Sequence, residues 1–184
     1  MQIEDSIFKF LSSLFKKHDI PAILVGGYAL IANKVQRMTF DIDFLVTERD
    51  ILKIEQEIIK AGYSVFNRQD AFLQFKSSKK GLRDIDFLIS DPGTINILIS
   101  QGNDFTIDGE AFIIPSPNHL IAMKLHSIAN NKARKLKDLQ DIIQLIVMNG
   151  IDPANGDIKR MFKKYNAWDL YEQEIKILGE KHES

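Results

Sequence analysis

The chain of 184 residues contains no cysteine. That excludes a disulfide framework and thiol-bound zinc, and it fits a reducing compartment. No stretch reaches the roughly 18 consecutive apolar residues of a membrane-spanning helix. The first twenty residues, MQIEDSIFKFLSSLFKKHDI, lack the basic start, apolar run and small-residue cleavage site of a signal peptide. A soluble, cytoplasmic protein without a membrane partner is therefore expected. A dominant charge is missing as well: 24 Lys and Arg stand against 25 Asp and Glu, for a formal net charge of −1. The molecule as a whole is not an electrostatic trap for nucleic acid. Local basic runs remain at KSSKK (76–80) and KARKLK (132–137), either solvated faces or guides for an RNA acceptor. There is no H-E-x-x-H, G-x-S-x-G or Walker motif. The four histidines, His18, His119, His126 and His182, sit at no metal-ligand spacing.

What is present is apolar periodicity. Ile7, Phe8, Leu11, Leu14 and Phe15 recur at helical spacing, predicting an amphipathic helix over 4–18. Residues 22–25 read as a short buried strand broken by Gly26-Gly27, with a helix starting at Tyr28. Residues 40–46 form the next strand and 48–61 a second amphipathic helix, ended by Gly62. Strands follow at 63–66, 71–76 and 82–89, with KSSKKG as an exposed turn. Residues 91–103 fit strand or helix. Asp108-Gly109 between two apolar segments signals a hairpin. After Pro115-Ser116-Pro117, helical patterns take over at about 118–131, 135–148, 156–165 and 167–178. An α/β half at 1–115, a short mixed sheet flanked by helices, is thus followed by a C-terminal helical segment at 116–184. The absence of a long linker predicts that the segment packs on the core.

Two acids interrupt the strand at 40–46. Side chains alternate across a strand, so Thr39, Asp41 and Asp43 share one face. Phe40, Ile42 and Phe44 share the other and are expected in the core. Two carboxylates about 6–7 Å apart repel each other, and partial burial raises the cost. A divalent cation removes both objections, and magnesium prefers such oxygen ligands. Taken alone, D-x-D reads first as a pair of solvated acids on an exposed strand face. Two further features bear on it. Gly26-Gly27, between strand and helix, lets backbone N–H groups approach a phosphate, although the same doublet also makes an ordinary turn. RDIDFLIS (83–90) repeats the local pattern and supplies a third strand acid. Asp84 and Asp86 share a face; Asp86, with apolar flanks, is the favoured ligand, and Asp84 beside Arg83 reads as a strand-end ion pair. Arg37 either binds phosphate or pairs with an acid. Lys124, in an apolar helical context, also reads as a snorkelling lysine.

Gly-Gly, thirteen residues, Asp-Ile-Asp-Phe and a later strand acid together resemble the nucleotidyltransferase superfamily that includes DNA polymerase beta. The spelling Arg37-x-Thr39-x-Asp41-x-Asp43 is similar to the small bacterial AbiEii-type toxin enzymes. PSPNHLIAMKLHSIANNKARKLKDLQDI (115–142) agrees, with Lys124 on one helix and Lys137-Asp138 and Asp141 on the next. The resemblance covers about 20–145. It implies a nucleotidyltransferase fold and a magnesium-dependent transfer of a nucleoside monophosphate from a nucleoside triphosphate, with pyrophosphate leaving. The acceptor would be a hydroxyl of RNA, a protein or a small molecule, and a partner antitoxin is implied. Two ions would be held by Asp41, Asp43 and Asp86, with Asp86 helping to activate the acceptor. Gly26, Gly27, Arg37, Thr39, Lys124, Arg134 and Asp138 would serve the nucleotide. Arg134 is chosen among Lys132, Arg134 and Lys135. The doublet is Gly-Gly where the superfamily commonly has Gly-Ser, so a serine contact is missing. The alternative is a catalytically idle relative that binds a nucleotide or a partner.

Overall fold

The structure, a computed structural model, describes residues 6–79 and 81–180. Residues 4 and 5 of the first expected helix, Lys80 of the expected turn and His182 lie outside them. Two compact units are distinguished. The first comprises the chain up to Ala32 together with Arg37–Pro115; the second comprises Asn33–Gln36 and the chain from Ser116 on.

The first unit is built on one mixed sheet of seven strands: β1 (Ile23–Leu24), β2 (Asp41–Val46), β3 (Tyr63–Gln69), β4 (Phe72–Ser77), β5 (Asp84–Ile89), β6 (Asn103–Ile107) and β7 (Glu110–Ile114). Their order is β3-β4-β5-β2-β1-β7-β6. β2 runs parallel to β5 and β1 parallel to β7, while the remaining neighbours are antiparallel. Four helices belong to this unit: α1 (Ile7–Lys17), α2 (Gly26–Ala32), α3 (Glu48–Lys60) and α4 (Pro92–Ser100). Each of the longer ones starts where a side chain caps a free N–H. Ser6 accepts from Phe8, Thr47 from Asp50 and Asp91 from Thr94. The Asp91 cap and Pro92 in the first turn decide the ambiguous segment in favour of helix. Asp108 and Gly109, both at positive φ, close the β6–β7 hairpin.

The core of this unit is aromatic. Phe44 stacks on Phe87 at 6.1 Å between ring centroids, and Phe15 of α1 meets Phe44 edge-on at 4.9 Å. Phe75 and Phe112 complete the cluster from β4 and β7. Phe40 is a correction to the expected pattern. It is 74% exposed and lies outside β2. The cause is register: the β2–β5 ladder begins with Asp41 opposite Asp84, so Phe40 precedes the first paired residue and has no neighbouring strand to carry it inward.

The second unit holds α5 (Pro117–Asn130), a 3₁₀ turn (Lys132–Arg134), α6 (Lys135–Met148) and α7 (Gly156–Lys164). A final helical stretch over 168–180 contains a π turn at Tyr171–Ile175. Leu120, Ile121, Leu125, Ile142, Leu145, Phe162 and Ile175 are buried in it. Trp168 stacks on Tyr171 at 4.6 Å, and the Tyr171 hydroxyl donates to the Pro153 carbonyl. No helix among the described residues is long and apolar enough to cross a membrane.

Candidate active site

β2 and β5 carry nearly the same letters, DIDFLV and DIDFLI, and pair in parallel with those letters aligned. Asp41 therefore lies opposite Asp84, and Asp43 opposite Asp86. Four acids gather on one face, while Ile42, Phe44, Ile85 and Phe87 are fully buried on the other. Three of the four converge: an oxygen from each of Asp41, Asp43 and Asp86 lies within 4.8 Å of the others. Asp84 is engaged elsewhere, its Oδ1 accepting the Ser77 N–H at 3.1 Å. The expected Arg83–Asp84 strand-end pair is absent from the ion pairs of the described residues. Neighbouring side chains leave a strand on opposite faces, and Arg83 instead donates to the Thr39 carbonyl at 2.7 Å.

Burial raises the pKa of Asp86. A hydrogen bond from Gln74 at 2.9 Å opposes this, and the nearby Asp41 and Asp84 charges add to the rise. The net direction is upward, as expected for a carboxylate crowded by like charges. The Thr39 hydroxyl donates to Asp41 Oδ1 at 3.1 Å, which fixes the first acid at the strand entrance. The Arg83 guanidinium also lies 5.6 Å from the centroid of the Tyr28 ring. Burial raises the Tyr28 pKa against the lowering effect of Arg83, with Asp108 and Asp41 adding to the rise.

The glycine doublet is bound up with these acids. Gly26 opens α2 at φ +60°, and a Cβ there would fall on the Asp43 carboxylate. A Cβ on Gly27 would fall on the Thr39 hydroxyl. The Val25 N–H donates to the Asp43 carbonyl at 2.9 Å, holding the turn against β2. The missing side chains thus make room for Asp43 and Thr39. Arg37 is half-buried, two residues before Thr39.

Three carboxylates with no histidine or cysteine form a hard-oxygen donor set, the chemistry that suits magnesium or manganese. The residues present fit such an ion.

The second unit contains its own ionic cluster. Lys124 Nζ lies 2.8 Å from Asp138 Oδ1 and 2.7 Å from Asp141 Oδ2, and Arg134 Nε lies 3.0 Å from Asp138 Oδ2. Asp138 is fully buried. Burial alone pushes its carboxyl up. Hydrogen bonds from Arg134, Lys124 and Ser127, together with the Lys124 charge, overcome this and hold it below the ordinary value. The snorkelling alternative for Lys124 fails, since its ammonium is turned inward to two acids.

The model of the nucleotidyl transferase AbiEii toxin family, from type IV toxin–antitoxin systems, matches residues 9–182. The chain belongs to this family. It is a nucleotidyltransferase, as the sequence pattern implied. A search of the curated proteins returns no match. Solved structures with the same fold include ANT(2'')-Ia in complex with adenylyl-2''-tobramycin: TM-score 0.63, 14% identity, 87% of this chain and 97% of that one. The solution structure of the same antibiotic-resistance factor gives TM-score 0.60 at 14% identity, over 90% and 98% of the two chains. An antigenic nucleotidyltransferase-like protein from Paracoccidioides brasiliensis gives TM-score 0.58 at 14% identity, over 86% and 84%. At these identities the likeness concerns the fold, a mixed sheet with flanking helices as expected.

Sequence reasoning missed Gln74, Tyr28 and Ser127 around these acids. Gln74 had a signal: it is one polar residue between Leu73 and Phe75, both fully buried, which marks the acid-bearing face of β4. Arg83 was noticed but given the wrong partner. His18, His119 and His126 make separate local contacts, with Glu57, Ser116 and Asn130.

Proposed function

We propose that this chain moves a nucleoside monophosphate from a nucleoside triphosphate to an acceptor hydroxyl, releasing pyrophosphate, and acts as the toxin partnered by an antitoxin. Asp41, Asp43 and Asp86 would hold the two magnesium ions on which the transfer depends. The observation that carries this reading is the convergence of three carboxylates, within 4.8 Å, from two parallel strands in register. When bound, such ions offset the charge that develops on the phosphoryl oxygens and on the leaving group.

The protein's own part is to bind, orient and move a proton. Asp86 is the acid that the family resemblance assigns to help activate the acceptor hydroxyl, taking its proton as the oxygen attacks the α-phosphorus. A new O–P bond forms as the bond to the pyrophosphate oxygen breaks. Gly26 and Gly27, without side chains, let the triphosphate come close to the backbone beside Asp43. Thr39 and Arg37 serve the nucleotide from the segment entering β2. Lys124, Arg134 and Asp138 are assigned to the nucleotide by family resemblance, with Asp138 orienting the two cations it already binds.

RNA, a protein and a small molecule remain the acceptor classes. The basic run at 132–137 is exposed, and such runs attract polyanions, which makes RNA the first acceptor to test. The test incubates the protein with each nucleoside triphosphate, magnesium and total cellular RNA, following pyrophosphate and label together. Label entering RNA in step with pyrophosphate supports an RNA acceptor. Pyrophosphate release that is unchanged when RNA is withheld contradicts it.

A further inference from the structure

We propose that Gln74 is a positioning residue of the three-carboxylate site, clamping Asp86 from β4 so that its oxygens stay within reach of a divalent ion. The inference rests on the reading of Asp41, Asp43 and Asp86 as the metal-binding acids. Gln74 lies directly opposite Asp86 in the antiparallel β4–β5 ladder. Its Nε2 donates to Asp86 Oδ2 at 2.9 Å. Among the described residues, it is the one side chain that hydrogen-bonds this acid. Leu73 and Phe75 on either side are fully buried, so the strand cannot turn Gln74 away from the acid-bearing face.

The physical need is specific. Asp86 feels the charges of Asp41 and Asp84. Without a tether, the carboxylate would rotate or lean away from them and leave the cluster. A cationic tether would cancel charge that the ion requires, and an acidic one would add repulsion. An amide supplies an N–H donor with no net charge and takes only one of about four lone-pair positions on the carboxylate. Partners of this kind behind metal ligands set ligand orientation, and losing one costs about 10–100-fold in affinity or activity.

The test titrates Mn²⁺ into the full-length wild type, Gln74→Met, Gln74→Leu and Asp86→Asn, reading free Mn²⁺ by electron paramagnetic resonance. Thermal unfolding and pyrophosphate release are recorded on the same samples. Methionine keeps the length of glutamine and removes the donor; leucine is a second donor-less variant should methionine disturb folding. The expected result is an Mn²⁺ Kd about 10–100-fold weaker in the Gln74 variants. Their melting temperature stays close to wild type, and kcat recovers as Mn²⁺ is raised while KM for nucleotide changes little. If Asp86→Asn loses the ion but the Gln74 variants bind it as the wild type does, the positioning role is overturned and the metal reading stands. If Asp86→Asn also binds Mn²⁺ as the wild type does, the metal reading falls and the role of Gln74 with it.

Discussion

Gly26 and Gly27 occupy volume-limited positions whose limits are set by residues far along the chain. The Gly26 Cβ position is filled by Asp43, and its φ of +60° disfavours any side chain. An alanine there would cost about 1–2 kcal/mol for the left-handed backbone alone. It would also push Asp43 out of the cluster. A misplacement of about 1 Å at a reacting site costs on the order of 100-fold in rate. Gly26→Ala is therefore expected to fold with modestly reduced stability and to lose about 100-fold of its pyrophosphate release. Normal turnover in this variant would show that Asp43 has room to move. The sequence made the doublet visible as a turn near phosphate. It did not show that the glycines serve the acids, because that depends on where Asp43 and Thr39 arrive in space.

The pairing of β2 with β5 does most to organise the site. One register places like residues side by side, acids on one face and Phe44 against Phe87 on the other. Phe44→Ala is expected to cost about 3–5 kcal/mol. Phe40→Ala, at the exposed residue before the strand, should stay within about 0.5 kcal/mol. Urea denaturation of the two variants checks the contrast, and equal losses would mean that the strand is longer than β2. This is also where sequence reading had mixed success. Alternation placed Ile42 and Phe44 inward and Asp41 and Asp43 on the other face, and apolar flanks favoured Asp86 over Asp84. It could not find the strand's first paired residue, and so it took Phe40 inward. Ladder ends are set by the partner strand, which local periodicity does not contain. The four C-terminal helices were legible from apolar spacing. The inward turn of Lys124 needed two acids from another helix to explain it.

At the scale of the whole molecule, the two units carry different ionic devices: three mutually repelling acids in the first, and a compensated cluster around Asp138 in the second. The second has a consequence for stability. The pKa of Asp138 is depressed in the folded state, so its contribution is present above its unfolded value, near 3.8, and is lost as pH falls through the lower folded value. Asp138→Asn should therefore be less stable than wild type at pH 7, and the gap should close as pH falls below about 4. Trp168, the single tryptophan, lies in the same unit and reports its unfolding by fluorescence. A gap that stayed constant with pH would contradict the assignment.

The most direct measurement is magnesium-dependent pyrophosphate release from a nucleoside triphosphate by wild type and by Asp43→Ala, each shown to be folded. The account predicts release by the wild type that disappears when the divalent ion is chelated, and a fall of several orders of magnitude in Asp43→Ala. An Asp43→Ala protein that consumed nucleotide with magnesium at the wild-type rate would contradict it.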